Sequence, residues 1–480
     1  MSNLPTDFGI RWRFIRRWER ALELAIHVVF TVLYLITFGF GRTGLEIAQQ
    51  QKANTSANNQ TRYLNEIYFY PLVTDESFLH EFDPDWIVKD ATINFPTIRE
   101  MTGVSIIIYW SQLCPSRRHC NFGIIDRILD FWGKAGKKVV LCVATIGAPI
   151  QHDRAGAVEF ASATPDWVLA KSGTFRSESN NFIGLYRQWR SMSNNPDFKF
   201  IFPRSDDPHF VNEVKSLVRK LGKHYDGNPT ISYMRIGTGK SGEDNPYGRV
   251  GTSWFTNRLW ISFSREVADS YLKSFRKSKL EFDMGWTGIV AAGAKTATRL
   301  QEGDRQVAQE FIDYLLAKNV FIAYNGIAPP PIKNARAGAT SANPAGDCDG
   351  HNSQPDETTP ATDAALYLQI ASLKERGIPF GLEGNALTDP CMNVGRISSI
   401  LDQYKPERFI FFGDAAAIIN FHREGLNDKN RFEIDELTKV LLPSAAKTKP
   451  DAPRVQAMPK IKEFAADLDR FLQERVVEAQ

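Results

Sequence analysis

Histidine is scarce in this chain: eight in 480 residues, none of them in H-x-H or H-E-x-x-H spacing. That removes the usual histidine-based metal hydrolases, and no metal site is expected. A Gly-x-Ser-x-Gly strand-to-helix elbow is also missing, which argues against a serine hydrolase. Charge of one sign is lacking too. The net charge of +3 is too small to point to nucleic acid as a partner. Cysteine is limited to five. Cys142 lies in an apolar strand pattern and reads as a buried thiol. Cys114 and Cys120 flank a short loop, and Cys348 and Cys391 lie in two loops that can meet at one face. Two bridges and one buried thiol suit an oxidising compartment; five unpaired thiols are the alternative.

Long apolar runs are nearly absent as well. The exception is 24–40, preceded by Arg11, Arg13, Arg16, Arg17 and Arg20. Extended to 21–41, it reaches the length that spans a bilayer core of about 30 Å. Upstream positive charge favours a cytoplasmic N-terminus and a domain outside the cytoplasm. The expectation is therefore a basic segment 1–20 and a transmembrane signal anchor 21–41, with the lipid bilayer as a partner. Secretion after signal cleavage is the rival, and a buried core helix the plain alternative. Residues 42–64 form a polar linker that carries the sequons at Asn54 and Asn59.

What the chain has in plenty is aromatic and apolar content, 12% and 43%. This excludes a disordered chain and supports a large core. From residue 65 onward strand and helix patterns alternate. Strands are expected at 104–110, 138–144, 198–202, 231–236, 287–291, 320–324, 378–382 and 408–412. Helices are expected at 124–135, 210–224, 262–279, 305–318, 361–376 and 394–404, with 434–442 closing the ring. Eight such strands indicate an α/β (β/α)₈ barrel over 65–442. A linker and an amphipathic helix at about 461–477 fill 443–480, as a packing or partner helix. An open doubly wound sheet fits less well. Gly237-Thr-Gly-Lys-Ser-Gly242 matches G-x-G-x-x-G in spacing, but Glu-Asp-Asn-Pro follows it and starts a helix poorly. No cofactor is expected.

In a barrel the chemistry sits at the C-terminal ends of the strands. The fourth expected strand ends in Arg235-Ile-Gly-Thr-Gly-Lys-Ser-Gly-Glu-Asp-Asn-Pro246, a glycine-dense loop able to turn Glu243 over the mouth. The seventh ends in Ile378-Pro-Phe-Gly-Leu-Glu-Gly384, with Glu383 directly after an apolar run. A carboxylate there is costly unless paired or functional. For Glu243 the plain alternative is a solvated surface residue; for Glu383 it is an internal salt bridge to Arg235. Softer candidates for substrate binding are Tyr109, Trp110, Gln112, His152, Asp153, Arg235, Tyr324, Asn325 and Asp414. For Trp110 and Tyr109 core packing is the alternative, and Asp414 is a rival carboxylate.

A glutamate after the fourth strand and another after the seventh resembles the layout of clan A glycoside hydrolases. The Gly237-Thr-Gly-Lys-Ser-Gly-Glu243 run is similar to the strand-four loop of β-amylases and of β-galactosidase-like barrels. His224-Tyr-Asp-Gly-Asn-Pro-Thr-Ile231 resembles their approach to that strand, and Ala163-Thr-Pro-Asp-Trp167 a recurrent substrate-loop phrase. The resemblance covers about 65–440. It implies cleavage of a β-linked oligo- or polysaccharide by two glutamates, with Glu243 as acid/base and Glu383 as nucleophile, and retention at the anomeric carbon; inversion, as in β-amylase-like enzymes, is the alternative. Arg235 and Tyr324 are expected to keep Glu383 charged by donating hydrogen bonds. There are two departures: Gly242 stands where most members have Asn, and Gly413-Asp414 replaces an aromatic after the eighth strand. The rival reading is a barrel without catalysis, either carbohydrate-binding or structural, in a membrane-associated complex.

Overall fold

The computed structural model describes residues 64–70, 101–147, 150–152, 158–160, 162–178, 199–239, 242–246, 255–293, 302–327, 359–384, 394–427 and 451–475, with isolated positions in 85–100, at 387 and in 431–438. The elements are β1 (Glu66–Phe69), β2 (Gly103–Tyr109), α1 (Gly123–Lys134), β3 (Lys138–Ala144), α2 (Pro208–Tyr225), β4 (Ile231–Arg235), α3 (Asn257–Ser274), β5 (Leu280–Met284), α4 (Glu302–Ala317), β6 (Phe321–Ile327), α5 (Thr359–Glu375), β7 (Phe380–Gly384), α6 (Val394–Tyr404), β8 (Arg408–Phe411), α7 (Gly413–Glu424) and α8 (Asp451–Arg475).

The eight strands form a closed barrel in chain order, each parallel to its neighbours. Closure comes from β1, which pairs with β8 through Glu66 opposite Arg408 and with β2 through Tyr68 opposite Gly103. Runs such as Lys-Val-Val-Leu-Cys-Val-Ala in β3 are buried after the first residue, as a strand covered on both faces must be. The helices supply the outer cover. In α1 the buried positions Ile124, Ile125, Ile128, Leu129 and Trp132 form one stripe. Asp207 caps α2 by accepting from the Phe210 N–H, with Pro208 in the first turn; Thr256 caps α3 in the same way.

Two expected strands and the expected closure of the ring need correction. Residues 198–202 lie outside the barrel: Lys199–Pro203 pairs antiparallel with Thr174–Glu178. Residues 287–291 are helical, within Trp286–Ala291. All five are buried, and a helix apolar on every side cannot be told from a strand by periodicity. The ring is not closed by 434–442, whose described residues are helical, but by the four-residue β1, which was not expected. One strand too many before residue 231 and one too few at 66–69 offset each other. The fourth and seventh strands are therefore still 231–235 and 380–384.

The C-terminal helix α8 is a packing helix. Ala457, Ile461, Ala465, Leu468 and Leu472 are fully buried along one face, and Arg423 of α7 ion-pairs Asp469 at 2.6 Å. Among the described residues no helix is long and apolar enough to cross a membrane. Residues 21–41, both sequons, Cys348 and Cys391 lie outside the described residues. Cys114 and Cys120 form a disulfide, and Cys142 is a buried free thiol, as expected of it.

Candidate active site

Side chains in a barrel strand alternate between the interior and the helix layer. The interior-facing positions carry an unusual load of charge. Arg235 on β4 faces Glu281 on β5, its direct partner in register. Two residues on, Asp283 faces the same way. Glu383 on β7 and Arg408 on β8 complete the set. All five are at most 1% exposed.

Arg408 enters from the N-terminal end. Its guanidinium lies over the rings of Tyr233 and Phe321, 4.8 Å from each centroid, and pairs with Glu281. Gly381 makes room for it: a Cβ there would sit 3.1 Å from an Arg408 guanidinium nitrogen. The other oxygen of Glu281 accepts from Arg235 Nε at 2.8 Å. Two guanidinium groups thus bracket one carboxylate, and they hold Glu281 below its ordinary range despite burial.

At the C-terminal mouth the Arg235 fork turns to three partners. Its Nη2 donates to Glu383 Oε2 at 3.2 Å, and its Nη1 donates to the Tyr70 hydroxyl at 2.8 Å. Tyr70 in turn donates to the same Glu383 oxygen at 2.8 Å. Asp283 Oδ2 lies 2.9 Å from Arg235 Nη1, but out of line for a hydrogen bond. Burial pushes Glu383 up to about 7; Arg235 opposes this, and the charge of Glu243 adds to it. The loop that carries Glu243 is tied to the end of β5, where the Asp244 N–H donates to the Asp283 carbonyl at 3.0 Å. Burial also raises the Tyr70 phenol, so it remains a donor.

Glu243 is half-buried and accepts from Asn245 Nδ2 at 2.9 Å. Its loop is held by backbone geometry. Gly242 has φ +86°, and a Cβ there would lie 2.1 Å from the Cys142 sulfur. Asp244 anchors the next position, accepting from Trp260 Nε1 and from the Thr287 N–H, each at 2.7 Å. The Thr287 N–H belongs to the first turn of Trp286–Ala291, so this buried carboxylate caps a helix. Burial lifts Asp244 to about 6.

The other expected residues divide clearly. Arg235 belongs to the site, as the buried cation that orients Glu383. Tyr324 does not donate to Glu383. Its residue pairs with Leu382 and Met284 in register, on the helix-facing side, and its hydroxyl has no hydrogen-bond partner among the described residues. Tyr70 holds the place expected of Tyr324. Trp110 is buried in the core, edge-on to Trp167 at 5.8 Å, so it offers no face to a sugar. Gln112 accepts from the Tyr109 N–H and closes its own helical turn. Tyr109 is half-buried at the end of β2. Asp414 is buried in the first turn of α7. His152 lies on a hairpin strand and Asn325 on β6, neither with a described side chain, and Asp153 is outside the described residues.

Sequence reasoning missed Tyr70 and Asp283. The first follows a strand too short to stand out. The second was legible in principle, because Leu280-Glu-Phe-Asp-Met284 alternates acid with apolar at period two.

No family model matches the chain. Among solved structures it is similar to the β-amylase catalytic domain from Paenibacillus polymyxa, at 8% identity and a TM-score of 0.44, over 72% of this chain and 91% of that one. Xylanase 10B from Thermotoga maritima matches at 9% identity and 0.38, over 86% and 97%. The tri-modular endo-β-1,4-glucanase Cel5B from Bacillus halodurans matches at 10% identity and 0.40, over 79% of this chain and 60% of that one. These overlays are loose, and the barrel assignment rests on the strand pairing given above.

Proposed function

We propose that this chain is a glycoside hydrolase that cleaves a β-linked oligo- or polysaccharide, with Glu383 as nucleophile and Glu243 as acid/base. One observation carries the reading. Glu383 ends a buried strand at the barrel mouth, where Tyr70 and Arg235 both donate to a single oxygen. Those donors leave the other oxygen of the carboxylate for chemistry, and they favour its charged form against burial. Glu243 approaches from the loop after β4, which Gly242 allows to fold back on β3. In a retaining reaction Glu243 protonates the leaving oxygen while Glu383 attacks the anomeric carbon; water, deprotonated by Glu243, then releases the sugar. The apolar run at 21–41 is part of the same proposal, as an anchor that holds the barrel outside the cytoplasm.

Azide rescue of Glu383→Gly tests the assignment. Recovery of turnover with an α-glycosyl azide product, from azide attacking a β-glycoside through the vacated space in one inverting displacement, places Glu383 on the face opposite the leaving group. A β-glycosyl azide shows that a glycosyl-enzyme still forms without Glu383, and the anomer that wild type first releases, β for retention and α for inversion, separates a nucleophile from a base. Absence of rescue beside full wild-type hydrolysis removes Glu383 from the role. A wild type that binds glycans and cleaves none is the outcome expected of a carbohydrate-binding barrel.

A further inference from the structure

The mouth holds one acid too many. Three fully buried carboxyl groups, Glu281, Asp283 and Glu383, share two buried guanidinium groups, Arg235 and Arg408. An unbalanced negative charge in a dry interior costs several kcal/mol, more than retaining a proton does. One of the three therefore stays protonated, and hydrogen bonding decides which.

Glu281 accepts a hydrogen bond from Arg235 Nε and ion-pairs with Arg408. Glu383 accepts from Tyr70 and from Arg235. Asp283 accepts from no donor among the described residues at either oxygen. Arg235 gives its Nε–H to Glu281, one Nη1 proton to Tyr70 and one Nη2 proton to Glu383, and none of its N–H groups is in line with Asp283. A carboxylate without donors is the poorest place for charge, and a neutral acid is the form that such a site favours. We propose that Asp283 is a positioning residue that holds the surplus proton of this cluster at pH 8, and so leaves Arg235 to keep Glu383 anionic.

The groups facing Asp283 agree with this. From β4 comes Arg235, from its following loop Glu243, from β5 itself Glu281, from β7 Glu383 and from beyond β1 Tyr70. The carboxylates among them act on Asp283 in the same direction as burial, and Arg235 alone opposes them. Cys142, on β3 opposite Arg235, is a thiol that burial pushes up to about 12, so it adds no charge. The protonation claim stands on charge balance and donors alone. Its consequence, an anionic nucleophile beside a neutral acid, rests on the role proposed for Glu383.

Infrared spectroscopy of the full chain at pH 8 tests it without turnover. Asp244 and Glu383 are mostly ionised there, above about 6 and about 7 respectively. The expected spectrum retains a carbonyl band of a protonated carboxyl. That band shifts when aspartate is ¹³C-labelled at its side-chain carboxyl, and it is missing from Asp283→Asn. It is also lost in Glu383→Gln, where two carboxylates balance two cations and Asp283 ionises. A band that shifts with glutamate labelling instead, or no band at pH 8, overturns the proposal. If Asp283→Asn fails to fold, the labelled wild-type spectra decide between aspartate and glutamate. An inactive protein that still shows the aspartate band sinks the glycosidase reading and leaves the proton on Asp283.

Discussion

Burial makes the charged form of Glu383 a cost to folding. Its pKa lies at about 7, against an ordinary 4.5, with burial as the largest cause. The folded state thus binds this proton more tightly than the unfolded chain does. Stability falls as pH rises from roughly 4.5 to 7, and the loss is complete above that range. Glu383→Gln mimics the neutral acid. It is expected to abolish hydrolysis while gaining as much as about 3 kcal/mol of stability at pH 8, with no gain near pH 4. Denaturant melts at the two pH values measure this, and a variant less stable than wild type at pH 8 contradicts it. The same titration should appear in kcat/KM, which rises with pH through about 7 as the proposed nucleophile ionises. Tyr70→Phe removes a donor to the charged form. It should move that acidic limb upward by about one unit, since a hydrogen bond to a charged group is worth roughly 1.5–3 kcal/mol before relaxation. An unmoved limb would show that Tyr70 is mere packing.

At the level of elements, the strand-four loop depends on a contact between glycine and sulfur. Gly242→Ala places a Cβ against Cys142 in a backbone region that L-residues avoid. A loss of about 2–4 kcal/mol is expected from overpacking and left-handed strain together. Gly242→Ala/Cys142→Ala should recover the overpacking share and leave about 1–2 kcal/mol. Equal melts for the single and double variants would refute that division. The loop and β7 were readable in the sequence because a glycine cluster and an apolar run ending in glutamate are local signals. The partners of Glu383 were only half readable. Arg235 stood out as a cation at a strand end, whereas Tyr70 follows a four-residue strand beside a polar linker. Asp283 was passed over because the buried helix after it reads more like a strand than β5 does. Burial tends to make the elements around a polar cluster look alike, and the pairing across the barrel decides what each one is.

For the whole molecule, α8 behaves as part of the barrel body. Burial of Ile461, Leu468 and Leu472 contributes about 1.5–3 kcal/mol for each side chain, a large share of a typical total stability of about 5–15 kcal/mol. Ending the chain at residue 450 should therefore leave it unfolded or aggregated, as judged by near-UV circular dichroism. A folded, monomeric truncation would mark α8 as a removable appendage. The wider fold was legible from alternation and run length, because eight covered strands leave few other architectures. Its closure was not, since β1 declares itself only through its pairing with β2 and β8.

The most direct test is sugar release from a panel of β-linked oligo- and polysaccharides by wild type, Glu243→Gln and Glu383→Gln, each verified as folded. Wild type should cleave at least one substrate, and each variant should lose about 10²–10⁴-fold or more in rate on it. Two variants that cleave as fast as wild type, or a wild type inert across the panel, would contradict a two-glutamate hydrolase.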